Sequence, residues 1–99
     1  MTKEETVAVL RKLNLAYPLF YSNKKAEDLV PVAKVWHEYL GMHDAKLINK
    51  AVDIMIVSET EVPTIALVCK YIPEGKARLE YEAELADPVL QEALRRFSK

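Results

Sequence analysis

Two imidazoles and a single thiol, at His37, His43 and Cys69, are the side chains of this sequence best suited to hold a transition metal or to pair a nucleophile with a base. A three-ligand site would have to use all of them or recruit carboxylates, and their spacings match no zinc signature. His37 adjoins Trp36 on an amphipathic segment and His43 falls in a turn, where a histidine ordinarily serves as a boundary residue. Cys69 closes the apolar run Ile65-Ala66-Leu67-Val68-Cys69, a setting in which a thiol is inert packing. Glu80, Glu82 and Glu84 are two apart, so on a helix they cannot face one another as an acid and a base. Gly41 and Gly75 are isolated, which leaves no glycine-rich loop to cradle a nucleotide phosphate and excludes ATPase or kinase chemistry. The sequence predicts no catalytic group, no metal and no cofactor, and points to a protein that works by binding another protein.

Trp36, Tyr39, Tyr17, Phe20 and Tyr21 could line a ligand cage, but aromatics at helical spacing and in a helix connection read better as core and lid. Fourteen Lys plus Arg against fifteen Asp plus Glu give a formal charge of −1, which offers no net attraction to phosphate backbones or anionic lipid. The short basic clusters Lys24-Lys25 and Arg95-Arg96 lack interleaved aromatics and read as solvated charge, which argues against direct nucleic-acid binding. A lone cysteine, with no signal-peptide hydrophobic region after Met-Thr-Lys-Glu-Glu, points to a reducing cytoplasm. Apolar runs such as Ile54-Met55-Ile56-Val57 are far below the ~18 residues of a membrane span.

The elements that would carry these residues are helical. Thr2 and Glu5 have capping-box spacing, Val7, Leu10, Leu13 and Tyr17 recur at three- and four-residue steps, and Tyr17-Pro18 discourages continuation, which predicts a helix over about residues 3–16. After the linker Pro18-Leu19-Phe20-Tyr21-Ser22-Asn23, the positions Val32, Val35, Trp36, Tyr39 and Leu40 form one helical face. Asp28 is the expected cap of that helix, with Pro31 in its first turn and Gly41 as its stop; a start near Asn23 is the alternative. Asp44 is the expected cap of a third helix whose Ile48, Ala51, Val52 and Met55, widened by Leu47 and Ile54, suit a central position, and the polar run Ser58-Glu59-Thr60-Glu61 ends it. Pro63 and Pro73 bound a short apolar segment from Thr64 to about Tyr71, which reads as helix because no second strand exists to pair with it. Beyond Pro73-Glu74-Gly75 come helix formers with little apolar surface. Asp87-Pro88 then restarts a helix with the narrow stripe Leu90, Leu94 and Phe97.

The expected fold class is all-α: a bundle of about four helices over residues 1–72, one core's worth of chain, with an additional C-terminal helical region over residues 73–99. That region either docks on the bundle or forms a partner-binding arm. Leu90, Leu94, Arg95 and Phe97, an apolar stripe with a basic end, are its candidate contact residues.

One ordered pattern runs through the first two thirds of the chain: Glu4-Glu5, Leu13, Tyr17-Pro18, Phe20-Tyr21, then Val32, Trp36 and Leu40, and finally Ala51 followed by Val62-Pro63-Thr64-Ile65-Ala66. Over residues 3–68 this order and spacing resemble the phage loader and inhibitor proteins of replicative helicases. The resemblance makes Tyr17, Pro18, Phe20, Trp36, Pro63 and Thr64 scaffold: Tyr17 and Phe20 where the first connection turns, Trp36 as core anchor, Pro63-Thr64 as a helix start. It implies a non-catalytic adaptor in the cytoplasm of the bacterial host. Such an adaptor binds the replicative hexameric helicase or its loader protein, with an origin-binding protein as a further candidate partner, and loads or blocks the enzyme. In that family the C-terminal region is the usual helicase contact. Two other classes stay open: a small DNA-binding regulator using its third and fourth helices, against which Lys70 is the only basic residue from Thr64 to Tyr71, and a phage structural or assembly-chaperone protein.

Overall fold

The computed structural model describes residues 1–20 and 25–98. The described residues form six helices and no strand: α1 (Lys3–Ala16), α2 (Ala26–Leu40), α3 (Ala45–Ser58), α4 (Ile65–Lys70), α5 (Ile72–Leu85) and α6 (Pro88–Phe97). The expected all-α class holds. Tyr21, Ser22, Asn23 and Lys24, on which part of the linker, the alternative start of the second helix and one basic pair were placed, lie outside the described residues.

α1 starts where its capping box requires: the Glu5 amide donates to Thr2 Oγ1 at 3.1 Å and the Thr2 amide to Glu5 Oε1 at 2.8 Å. Thr6, Val9, Leu10 and Leu13 face inward. Val7, expected on that face, is exposed, and Val9 takes its place because the face is centred one position further round the helix. The buried Thr6 hydroxyl sits 2.7 Å from His37 Nδ1 and 3.2 Å from the Thr2 carbonyl, so α1 meets α2 through a satisfied polar contact.

α2 begins two residues before the expected cap. Asp28 does act at this end, but from the third helical position, accepting from the Lys25 amide at 3.2 Å. Pro31 therefore stands inside the helix instead of in its first turn. Trp36 and Leu40 are buried, Val32 and Ala33 are half-buried, and Val35 and Tyr39, expected on the same face, are exposed. Gly41 ends the helix, its amide donating to the His37 carbonyl at 2.7 Å, and the Met1 amine donates to the Gly41 and His43 carbonyls at 2.5 and 2.8 Å.

α3 is the central element. Ile48, Val52 and Met55 join Leu13, Leu40 and Val68 in the fully buried core shared by the first four helices. Ala51 and Ile54 are also buried, and α5 packs against α3 more extensively than any other helix does. The order of the contacts shows α5 running antiparallel to α3: Tyr71 to Glu59, Gly75 to Ala51, then Glu82 to Lys50, a pair 2.9 Å apart. A Cβ at Gly75 would lie 3.1 Å from the Ala51 amide nitrogen. Pro73-Glu74-Gly75 are thus not punctuation between elements: Pro73 sits at the start of α5, and the Gly75 amide, inside that helix, donates to the Tyr71 carbonyl at 2.9 Å.

α6 meets the rest of the described chain through α5 and has no buried residue. It lengthens the molecule to 57 × 26 × 19 Å.

Two stability effects follow. Gly75→Val forces the α5 and α3 backbones apart and lowers stability by about 1–3 kcal/mol, read as a lower urea midpoint at unchanged m-value. Pro31→Ala restores a missing backbone donor on the exposed side of α2 and raises stability by about 2 kcal/mol, read as a higher midpoint in the same titration.

Candidate partner-binding surface

The candidate contact residues lie on α6, whose start is fixed locally. Asp87 Oδ1 accepts from the amides of Val89 at 2.8 Å and Leu90 at 3.4 Å, and Pro88 occupies the first helical position, where a missing donor costs nothing. Leu90, Leu94 and Phe97 follow at helical spacing and are 38%, 46% and 88% exposed. The neighbouring Val89 is exposed as well. Arg95 and Arg96 reach back to Glu92, at 2.5 and 3.0 Å, so the basic end of the stripe carries cations that are partly neutralised within the helix. No residue of α6 is buried, and its apolar side chains stay partly or largely exposed beside α5.

The six motif residues gather at the other end of the molecule. Tyr17 is buried, and its hydroxyl donates to the Glu59 carbonyl at 2.9 Å and more weakly to that of Met55 at 3.4 Å, tying the end of α1 to the end of α3. Phe20 meets the buried Trp36 edge to face, centroids 5.6 Å apart at 82°. Pro63 is buried, and Thr64 Oγ1 caps α4 by accepting from the Leu67 amide at 3.1 Å. Pro18 is exposed beside Leu19.

Sequence reasoning did not find the acid that organises this end. Glu59 Oε1 accepts from the Tyr71 hydroxyl at 2.6 Å and lies 3.9 Å from Lys70 Nζ, while the Glu59 backbone carbonyl holds Tyr17. Lys70 also stands 5.8 Å from the centre of the Tyr71 ring. The Tyr71 hydroxyl titrates above its ordinary value of 10.0, first because its proton is held by Glu59 and then through desolvation. Tyr17 is shifted the same way, by burial first and by the Glu59 charge second.

His37, His43 and Cys69 stay apart. His37 is engaged with Thr6, the His43 carbonyl receives the Met1 amine, and Cys69 is exposed. The expectation that Cys69 is packing is corrected: α4 turns Val68 fully inward, and the next position along so short a helix faces out. Among the described residues no three His, Cys, Asp or Glu side chains come together in a way that could hold a metal ion, and no helix is long and apolar enough to cross a membrane.

The family model for the N-terminal domain of the gene 39 protein matches residues 1–69. No curated protein and no solved structure matches the chain.

Because both tyrosine hydroxyls titrate higher in the folded chain than in the unfolded one, their contribution to stability is complete below about pH 10 and is lost as the pH rises through the raised values. Tyr71→Phe removes the larger specific contact, so the fall of the urea midpoint above that pH becomes shallower than in the wild-type chain. An unchanged alkaline slope would contradict the Glu59–Tyr71 bond.

Proposed function

Because the chain belongs to the family of the gene 39 protein N-terminal domain, a phage helicase loader and inhibitor domain, we propose that it is an adaptor that binds the replicative hexameric helicase or its loader and acts on it without chemistry of its own. The match over residues 1–69 carries this reading. In the proposal, residues 1–72 supply the family's bundle and residues 73–99 the C-terminal region, in which α5 closes α3 and α6 meets the partner, with an origin-binding protein as a further partner that would bring the complex to replication start sites.

Leu90, Leu94, Arg95 and Phe97 are the proposed contacts. An exposed apolar stripe on a capped helix can enter a hydrophobic groove with little reorganisation, and the cations at its end can steer it towards an acidic rim. Tyr17, Pro18, Phe20, Trp36, Pro63 and Thr64 are proposed to hold the bundle in shape and not to touch the helicase. Loading and inhibition differ in the sign of the effect on unwinding, and both require the same first event, a stable complex.

Mixing the chain with a bacterial replicative helicase should give a complex that co-elutes in size-exclusion chromatography and alters ATPase or unwinding rate. No complex with either helicase or loader would defeat the proposal. The double substitution Leu94→Asp with Phe97→Ser should leave the thermal midpoint of the free chain within the narrow range of surface changes. It should weaken the complex by ~30-fold or more, the loss expected of a ~2 kcal/mol hot spot.

A further inference from the structure

The motif residues do more than close the core: they surround a surface groove. Two depressions, of about 330 and 360 Å³, share Val62. The first lies between the end of α1 and the end of α3, with Tyr17, Leu19 and Ile56 in its walls; the second lies between Phe20, Trp36 and Pro63. Leu19 is 77% and Val62 48% exposed, so the shared rim is apolar and unburied. Among the described residues Glu59 is the one charged side chain in the lining, its carboxylate held by Tyr71 and 3.9 Å from Lys70, while Glu61, next to Val62, is exposed and forms none of the ion pairs seen among the described residues. No described basic side chain lines either depression.

α6 has the opposite character. It is ten residues long, about 15 Å, with an apolar stripe and two arginines that share a single glutamate, which leaves its end net positive. Groove and stripe cannot meet within one chain. The groove lies at the Glu59 end of α3, whereas α5 runs antiparallel past Lys50 before α6 begins, so the two lie at opposite poles of a molecule 57 Å long.

We propose that α6 of one copy seats in the Leu19–Val62 groove of the next, giving head-to-tail self-association. Leu90, Leu94 and Phe97 fill the apolar rim, and Arg95 and Arg96 approach the exposed carboxylate of Glu61. A contact between two different faces leaves one groove and one α6 free at the ends of every assembly, so the species grow with concentration instead of stopping at a dimer. The proposal does not rest on the helicase reading, but it uses the same α6 stripe, so a partner seated on that stripe would compete with self-association; only the groove variants Leu19→Glu and Val62→Glu belong to self-association alone.

Sedimentation velocity of the full chain over ~10–500 μM, the affinity range of a small interface, tests it. The wild-type mass should rise continuously with concentration. Leu19→Glu, which disables the groove, and Leu94→Asp, which disables the stripe, should each remain monomeric. Mixed together they should form a 1:1 heterodimer that grows no further, since one intact groove and one intact α6 remain. Val62→Glu serves as a second groove variant, and circular dichroism reports whether each variant is folded. A wild-type chain that stays monomeric throughout overturns the proposal. So does a dimer abolished by Leu94→Asp but indifferent to both groove variants, which would mean α6 against α6, and so does a variant mixture that fails to pair.

Discussion

Helix α3 has apolar side chains on two sides, and a helix in water cannot leave both uncovered. Ile48, Val52 and Met55 are closed in by α1, α2 and α4, while Ala51 and Ile54 are buried along the side where α5 lies. The second closure depends on size: Ala51 and Gly75 let two backbones come closer than larger side chains would allow. Lys12 pairs with Asp53 and Lys50 with Glu82, so charged residues flank the buried parts of α3 where it meets α1 and α5. Everything else is arranged around that one helix. The short α4 reverses the chain so that α5 can return along it.

The polar contacts act at the helix ends, where backbone groups lack partners. Tyr17 satisfies carbonyls at the end of α3, Thr64 caps α4, and the Met1 amine meets carbonyls just past the end of α2. Glu59 joins three elements through one residue, its backbone to α1 and its carboxylate to the end of α4 and the start of α5. These bonds fix the angles at which the helices leave their turns, and so fix both the groove at one pole and the direction in which α5 carries α6 towards the other.

What could be read from the sequence was local. Thr2 and Glu5 marked the start of α1, Asp87-Pro88 that of α6, and the periodicity of Ile48, Ala51, Val52 and Met55 marked the buried face of α3. The errors came where local rules compete with packing. A proline suggests a helix start, yet Pro31 sits in the sixth position of α2, because the inward turn of Trp36 and Leu40 outweighs one missing donor. Gly75 reads as a break, but its missing side chain serves a neighbour 24 positions away in sequence. Val7, Val35 and Tyr39 fit a helical period and still face solvent, since period alone does not say where a face is centred. The Glu59–Tyr71 and Thr6–His37 bonds join residues whose separation carries no periodic signal. The candidate stripe of α6 was visible because amphipathicity is a property of one helix; the groove was invisible because two connections, α1–α2 and α3–α4, build it together with side chains from α2 and α3.

The lack of burial in α6 has an evolutionary side. A core position such as Met55 is answerable to all its neighbours at once, so most replacements there are penalised before binding is ever at issue. Positions 89–97 have almost no such neighbours. Replacements along them meet little resistance from packing, so this segment can change while the bundle beneath it stays constant.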